Sequence, residues 1–218
     1  MHEKELELLA RQLAEGLGGD HDAFGRAVVR LLACEHPVTP ERLASALQMT
    51  AEQVAGVLAG LADLEVDQSG NVVGWGLTLI PTPHRFRVQG QTFYTWCALD
   101  ALTYPALLQV VASVESSCPV SGTPVALSIT PTGVHGLTPP GSVVSLVIPG
   151  QGSACDGDRK SFCNQSLFFR SKRDAAVAGI LSHRPAAFGC GCLPGWPPGR
   201  PLPLPIVKRG PGREQGGC

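Results

Sequence analysis

The sequence predicts an α+β chain: helices come first, strands follow, and a Gly/Pro-rich tail ends it. Three observations predict it. Apolar residues recur at three- and four-residue spacing as far as Leu61. From about Arg85, short apolar and aromatic runs replace that period. From Cys190 to Cys218, 7 Pro and 7 Gly make up nearly half of 29 residues. These changes divide the chain into an N-terminal module (1–80), a central core (81–189) and a tail (190–218).

Leu6, Leu9, Leu13 and Leu17 form the apolar stripe of a first helix. Phe24, Val28, Leu31 and Leu32 repeat it after the polar break Gly19-Asp20. The next helix starts at Thr39, an N-cap, with Pro40 in its first position and Leu43, Ala46 and Leu47 facing inward. Thr50-Ala-Glu-Gln53 has capping-box spacing and opens a helix that buries Val54, Val57, Leu58 and Leu61. A polar turn, Glu65–Asn71, then separates Val66 from a strand over Val72–Ile80. Helix, helix, short turn, helix and β-hairpin is the order of a winged helix-turn-helix. Beyond it, Phe86–Val88, Thr92–Trp96, Val125–Ile129 and Val143–Ile148 read as strands. Ala98–Val111 reads as a buried helix kinked or restarted at Pro105, and Arg173–Leu181 as a late helix.

Composition narrows the function classes. Hydrophobic residues at 44% and charged residues at 16% exclude a disordered chain. A net charge of −1 supplies no global field for nucleic acid or an anionic membrane. No run approaches the roughly 20 uncharged apolar residues of a membrane span. The start, MHEKELELLARQL, reads as a charged helix and not as an export signal, so the expected location is the cytoplasm. Eight Cys in a reducing compartment are then expected as thiols, and without any CxxC pair they do not form a zinc knuckle. The winged-helix order invites a DNA-binding reading, but Gln48–Glu65 carries Glu52, Asp63 and Glu65 and no Lys or Arg. Phosphate contacts supply most of non-specific affinity, so no nucleic-acid partner is expected.

The chemistry concentrates at cysteine. In Phe-Tyr-Thr-Trp-Cys97-Ala-Leu-Asp100 a thiol sits where a strand passes into a helix. A helix N-terminus favours thiolate over thiol, and residues three apart share a helical face. Cys97 and Asp100 thus pair a soft ligand with a proton carrier. Cys163, in Ser-Phe-Cys-Asn-Gln-Ser, follows the hydrophilic loop Gly150–Lys160, and Cys118 lies in the turn Ser-Ser-Cys-Pro-Val-Ser-Gly122. A Cys–His nucleophile pair would need a histidine in a signature context. His84 and His135 lie in Pro-, Gly- or Thr-rich segments, and His2, His21 and His36 in the helical region, so all are expected at the surface.

The run Tyr94-Thr-Trp-Cys-Ala-Leu-Asp-Ala-Leu102, then Pro105-Ala-Leu107, Cys118-Pro-Val-Ser-Gly-Thr-Pro-Val125 and Ser161-Phe-Cys163, resembles bacterial organomercurial (alkylmercury) lyases. Gly70-Asn-Val-Val-Gly-Trp-Gly-Leu-Thr-Leu79 and the helical start are similar too, and the likeness covers roughly residues 5 to 170. The resemblance implies a winged-helix-like N-terminal domain on an α+β core of mixed strands. It also implies an enzyme without cofactor that cleaves carbon–mercury bonds in mercury detoxification. Cys97 and Cys163 would be its catalytic thiols and mercury ligands. Asp100 would be the acid, placed also beside the metal, and Cys118 would be structural. The implied partners are an organomercurial substrate, low-molecular-weight thiols and a mercuric reductase that accepts Hg(II), with no membrane partner. The alternative from another class is a winged-helix mercury sensor using the same thiols.

The chain departs from the family pattern in two places. Asn164 stands where a second, vicinal Cys often occurs. The tail from Cys190 onward has no counterpart; its composition predicts a flexible or polyproline-like extension, such as a shifted reading frame gives, with Cys190, Cys192 and Cys218 as surplus thiols.

Overall fold

The computed structural model describes residues 20–34, 36–61, 63–146 and 163–178, together with 206–208; at 20–23, 146 and 206–208 only the backbone is described. The helix expected over Leu6–Leu17 lies outside these residues.

Helices α1 (Asp20–Cys34), α2 (Pro40–Leu47) and α3 (Ala51–Gly60) form the N-terminal module. Both predicted caps are present. The Thr39 hydroxyl accepts from Arg42 N at 3.2 Å. Thr50 and Gln53 complete a reciprocal capping box, with bonds of 3.2 and 2.8 Å. One inward position differs from expectation: Ala46 is exposed, whereas Ala44 packs on the core beside Leu43 and Leu47. On so short a helix the buried stripe follows positions i, i+1 and i+4.

Eight strands build one sheet in the order β1-β2-β3-β5-β4-β6-β7-β8, and every neighbouring pair is antiparallel. They are β1 (Glu65–Val66), β2 (Val72–Trp75), β3 (Leu77–Thr78), β4 (His84–Val88), β5 (Gln91–Thr95), β6 (Ala112–Ser117), β7 (Pro124–Thr130) and β8 (Gly133–Thr138). The wing of the helical module therefore continues directly into the sheet of the core. The strand expected over Val72–Ile80 is two strands, because Gly76 adopts φ +74° and reverses the chain so that Trp75 faces Leu77. The sequence analysis names neither β6 nor β8: in Ala112-Ser-Val-Glu-Ser-Ser117 only Ala112 and Val114 are apolar, and the exposed Ser113, Glu115 and Ser117 alternate with the buried Ala112, Val114 and Ser116. Strand β4 shows the same one-sided burial, with Phe86 and Val88 inside and Arg85 and Arg87 outside against Glu115.

Helix α4 (Ala98–Leu108) packs against β4, β5 and β7 on the buried side of the sheet. It runs as one helix through Pro105 and ends earlier than Val111, at Gln109 in the left-handed conformation. One apolar cluster joins Val28, Leu32, Leu43 and Val54 of the helical module to Leu77, Phe86, Phe93 and Leu102 of the core.

A small second sheet has the order β10-β9-β11, from β9 (Val143–Leu146), β10 (Phe168–Phe169) and β11 (Ile206–Lys208). Within the segment expected to be flexible or polyproline-like, Ile206–Lys208 form strand β11 and pair in parallel with Val144–Leu146. The β-branched pair Ile206-Val207 suits a strand although its surroundings are rich in Gly and Pro. Helix α5 (Lys172–Val177), capped by Ser171, begins one residue before the predicted start at Arg173. Among the described residues no helix is long and apolar enough to cross a membrane.

Candidate active site

The site lies where β5 gives way to α4. Trp96 N donates to Gly76 O at 2.8 Å, and the Thr95 hydroxyl donates to Cys97 O at 2.9 Å, so the backbone is held on both sides of Cys97. Cys97 is itself the N-cap of α4, in extended conformation at φ −148° and ψ 170°. Its Sγ accepts from Asp100 N at 3.4 Å, the bond that a Ser or Asp cap would ordinarily take.

Cys163 arrives from a distant part of the chain. A 3₁₀ turn, Cys163–Gln165, places it against the start of α4. Ser166 N donates to Cys163 O at 3.0 Å, and Ser166 O accepts from Ala98 N at 2.9 Å. The ligand atoms of Cys97, Asp100 and Cys163 consequently lie within 4.8 Å of one another. All three candidate residues named from the sequence are thus brought together, 66 positions separating the two thiols. Both cysteines are buried, and Oδ2 of the half-buried Asp100 is itself shielded, with no hydrogen-bond partner among the described residues.

Burial decides the electrostatics. It pushes the Cys97 thiol well above its usual range, with Cys163 and the Asp100 charge adding to the effect. Only the Asp100 N–H opposes. The helix N-terminus expected to favour a thiolate is therefore outweighed, and the resting Cys97 is a thiol. Burial also raises the Asp100 carboxyl to about 6, against the pull of hydrogen bonding from Cys97 and Tyr104. At neutral pH this leaves an ionised carboxylate beside the protonated Cys97 thiol, so a base stands next to an acid.

Other residues fall elsewhere. Cys118 is buried in a separate cluster with Val143, Phe169 and Ala175, where its thiol donates to Asp174 Oδ2 at 3.2 Å. Asp174 is also held by Arg170 Nε at 2.8 Å and by Ser171. Burial would raise its carboxyl, but hydrogen bonds from Ser121, Cys118, Arg170 and Ser171 win and bring it to about 2. His84 corrects the expectation of a surface residue: it is buried on β4, with Nδ1 2.9 Å from Ser116 Oγ and its ring edge-on to Phe168. The alternation of β4 turns it inward, and burial lowers its imidazole to about 4. His36 and His135 are exposed as expected, and Asn164 is exposed beside Cys163. Cys155, Cys190, Cys192 and Cys218 lie outside the described residues.

Sequence reasoning overlooked two residues that close the site. Tyr104 faces Asp100 from one helical turn further along α4, and Gly76 receives its ring. The spacing Asp100–Tyr104, four residues on a helix, carried the signal.

Comparison with known proteins places a family on residues 7–179. The family model for alkylmercury lyase matches residues 77–179, and that for the helix-turn-helix domain of alkylmercury lyase matches residues 7–76. The alkylmercury lyase of Streptomyces lividans is 40% identical over 205 residues, spanning 92% of this chain and 93% of that protein. The alkylmercury lyase of Bacillus cereus is 40% identical over 168 residues, 77% of this chain and 76% of its own. Among solved structures, the mercury-bound form of MerB2 shares the fold with a TM-score of 0.65 at 21% identity, covering 81% of this chain and 86% of that one. With matches that run from the helical module through both cysteine segments, the chain belongs to the alkylmercury lyase family.

Proposed function

We propose that this chain cleaves the carbon–mercury bond of organomercurials by protonolysis, with Cys97 and Cys163 as the mercury ligands and Asp100 as the proton carrier. The observation that supports it is the convergence of two thiols and a carboxyl, ligand atoms within 4.8 Å, in a buried site.

Mercury(II) is soft and prefers sulfur to carboxylate or imidazole. On capture, one thiol displaces the leaving ligand of R–Hg–X and its proton departs with X. The second thiol then binds mercury and passes its proton to the Asp100 carboxylate. Two thiolates donate electron density to mercury and make the attached carbon more basic. Asp100 returns the proton to that carbon, and the electron pair of the breaking C–Hg bond becomes the new C–H bond. R–H leaves and Hg(II) stays on the two thiolates. Two outside thiols exchange it off as their mercury bis-thiolate, and their two protons restore Cys97 and Cys163. Low-molecular-weight thiols and a mercuric reductase are the acceptors this chemistry calls for, and a bacterial cytoplasm supplies both as part of detoxification.

A single turnover with an arylmercurial in excess thiol tests the proposal. Wild type releases one arene per site. Asp100→Asn keeps the size of the side chain but carries no titratable proton, so it captures mercury and releases arene ~10²–10⁴-fold more slowly. Capture with no arene from wild type would instead identify a mercury sensor. Full-rate release from Asp100→Asn would remove the carboxyl from the mechanism.

A further inference from the structure

Tyr104 stands four residues beyond Asp100 on α4. Long side chains on a helix lean back over the preceding turn, which brings the phenol toward the Asp100 carboxyl. On its other side the hydroxyl is seated on Gly76: a Cβ there would lie 1.8 Å from the Tyr104 oxygen and 3.1 Å from Cζ. Only a residue without a side chain leaves that seat open. Gly76 is also tied to the site, since its carbonyl accepts from Trp96 N at 2.8 Å. The ring is therefore seated on an element outside its own helix, one helical turn from a carboxyl whose Oδ2 has no partner among the described residues.

We propose that Tyr104 is a positioning residue: its hydroxyl donates to one oxygen of the Asp100 carboxyl and leaves Oδ2 as the oxygen that receives the thiol proton and returns it to carbon. This rests on the assignment of Asp100 as proton carrier. A carboxyl free to rotate about χ2 would present either oxygen to the mercury-bound carbon, and proton transfer requires one, within hydrogen-bond reach. Tyr104 removes that freedom before substrate arrives. It touches neither mercury nor the organic group, so its contribution falls on the proton-transfer step and not on capture.

The test is a double-mutant cycle on single-turnover arene release, with mercury capture and thermal unfolding followed in parallel. Tyr104→Phe keeps the ring and its seat on Gly76. It is expected to slow release about 10- to 100-fold, as small misplacements of reacting groups do, while capture and KM stay at wild type. Tyr104→Phe combined with Asp100→Asn is expected to release arene within about twofold of Asp100→Asn alone, because a residue that acts through Asp100 has nothing left to position. Wild-type release from Tyr104→Phe, or losses that multiply in the double variant, overturns the proposal. Full-rate release from Asp100→Asn alone instead overturns the assignment on which it rests, so the two failures are told apart.

Discussion

The backbone N–H of Ala98 donates to the carbonyl of Ser166 at 2.9 Å, and this bond joins the two segments that carry the thiols. Ala98 is the first residue of α4, so its N–H is one of the four that no helical carbonyl can satisfy. Ser166 fills that vacancy from the turn that begins at Cys163. The distance between the thiols is thereby set by main chain, with the Ser166 hydroxyl taking no part: Oγ is buried and has no partner among the described residues.

Ser166→Ala and Ser166→Pro should for that reason differ sharply. Alanine removes a buried hydroxyl that lacks a partner, and stability is expected to hold or rise by up to about 1 kcal/mol, with cleavage retained. Proline deletes the N–H that closes the turn onto Cys163 O, and loss of mercury capture is expected. Thermal unfolding and mercury stoichiometry read both outcomes. A destabilised, inactive Ser166→Ala would show that the hydroxyl matters after all.

The two thiols make a second, simpler prediction. Cys97→Ala and Cys163→Ala are each expected to abolish arene release, since one sulfur leaves mercury two-coordinate with the carbon unactivated. Neither change should unfold the protein, because Ala fits where a buried Cys packed and no disulfide is lost among the described cysteines. Turnover at the wild-type rate by either variant refutes the two-thiol mechanism.

The parts legible in the sequence were those written locally. The caps at Thr39 and Thr50, the strand-to-helix passage at Cys97 and the spacing to Asp100 each occupy a few neighbouring residues. Burial is not local, and there the reading failed. The Pro- and Thr-rich segment around His84 predicts a surface residue, yet the alternation of β4 sends it inward. The helix end visible in sequence favours a thiolate at Cys97, whereas the apolar surroundings that keep it protonated come from distant segments. Tyr104 and Gly76 escaped for the same reason: 28 positions separate a glycine from the ring it accommodates.

A third prediction concerns the helical module. On α3, Glu52 is exposed and no Lys or Arg is present, and Glu65 at the wing is tied inward by the Thr78 hydroxyl. A mobility-shift titration at low salt is expected to show at most weak, sequence-independent retardation of DNA. Tight and sequence-selective retardation would falsify the charge argument.

The last prediction pairs two buried groups whose titrations oppose. Asp100 is raised from its ordinary 3.8 to about 6 in the folded protein, so between those values the native state holds a proton that the unfolded chain has lost. Stability from this group therefore rises as pH falls through about 6 toward 3.8. His84 is lowered from 6.5 to about 4, so there the unfolded chain takes up a proton that the native state refuses. Its contribution is complete above 6.5 and is lost as pH falls toward 4. Each is on the order of 3 kcal/mol in full, and across pH 4 to 6 the two slopes nearly cancel. Asp100→Asn removes one of them. The substrate-free variant is expected to be more stable than wild type at pH 7 and to lose that advantage steadily down to pH 4, where the neutral carboxyl no longer costs the fold anything. His84→Gln is expected to do the reverse: less stable than wild type at pH 7, through loss of the contacts with Ser116 and Phe168, and closing on it as pH falls. The measurement is Tm of the three proteins at half-unit intervals from pH 4 to 7. Parallel curves for wild type and Asp100→Asn would mean that the Asp100 carboxyl titrates alike in both states, and that the proton carrier is not tuned by its burial.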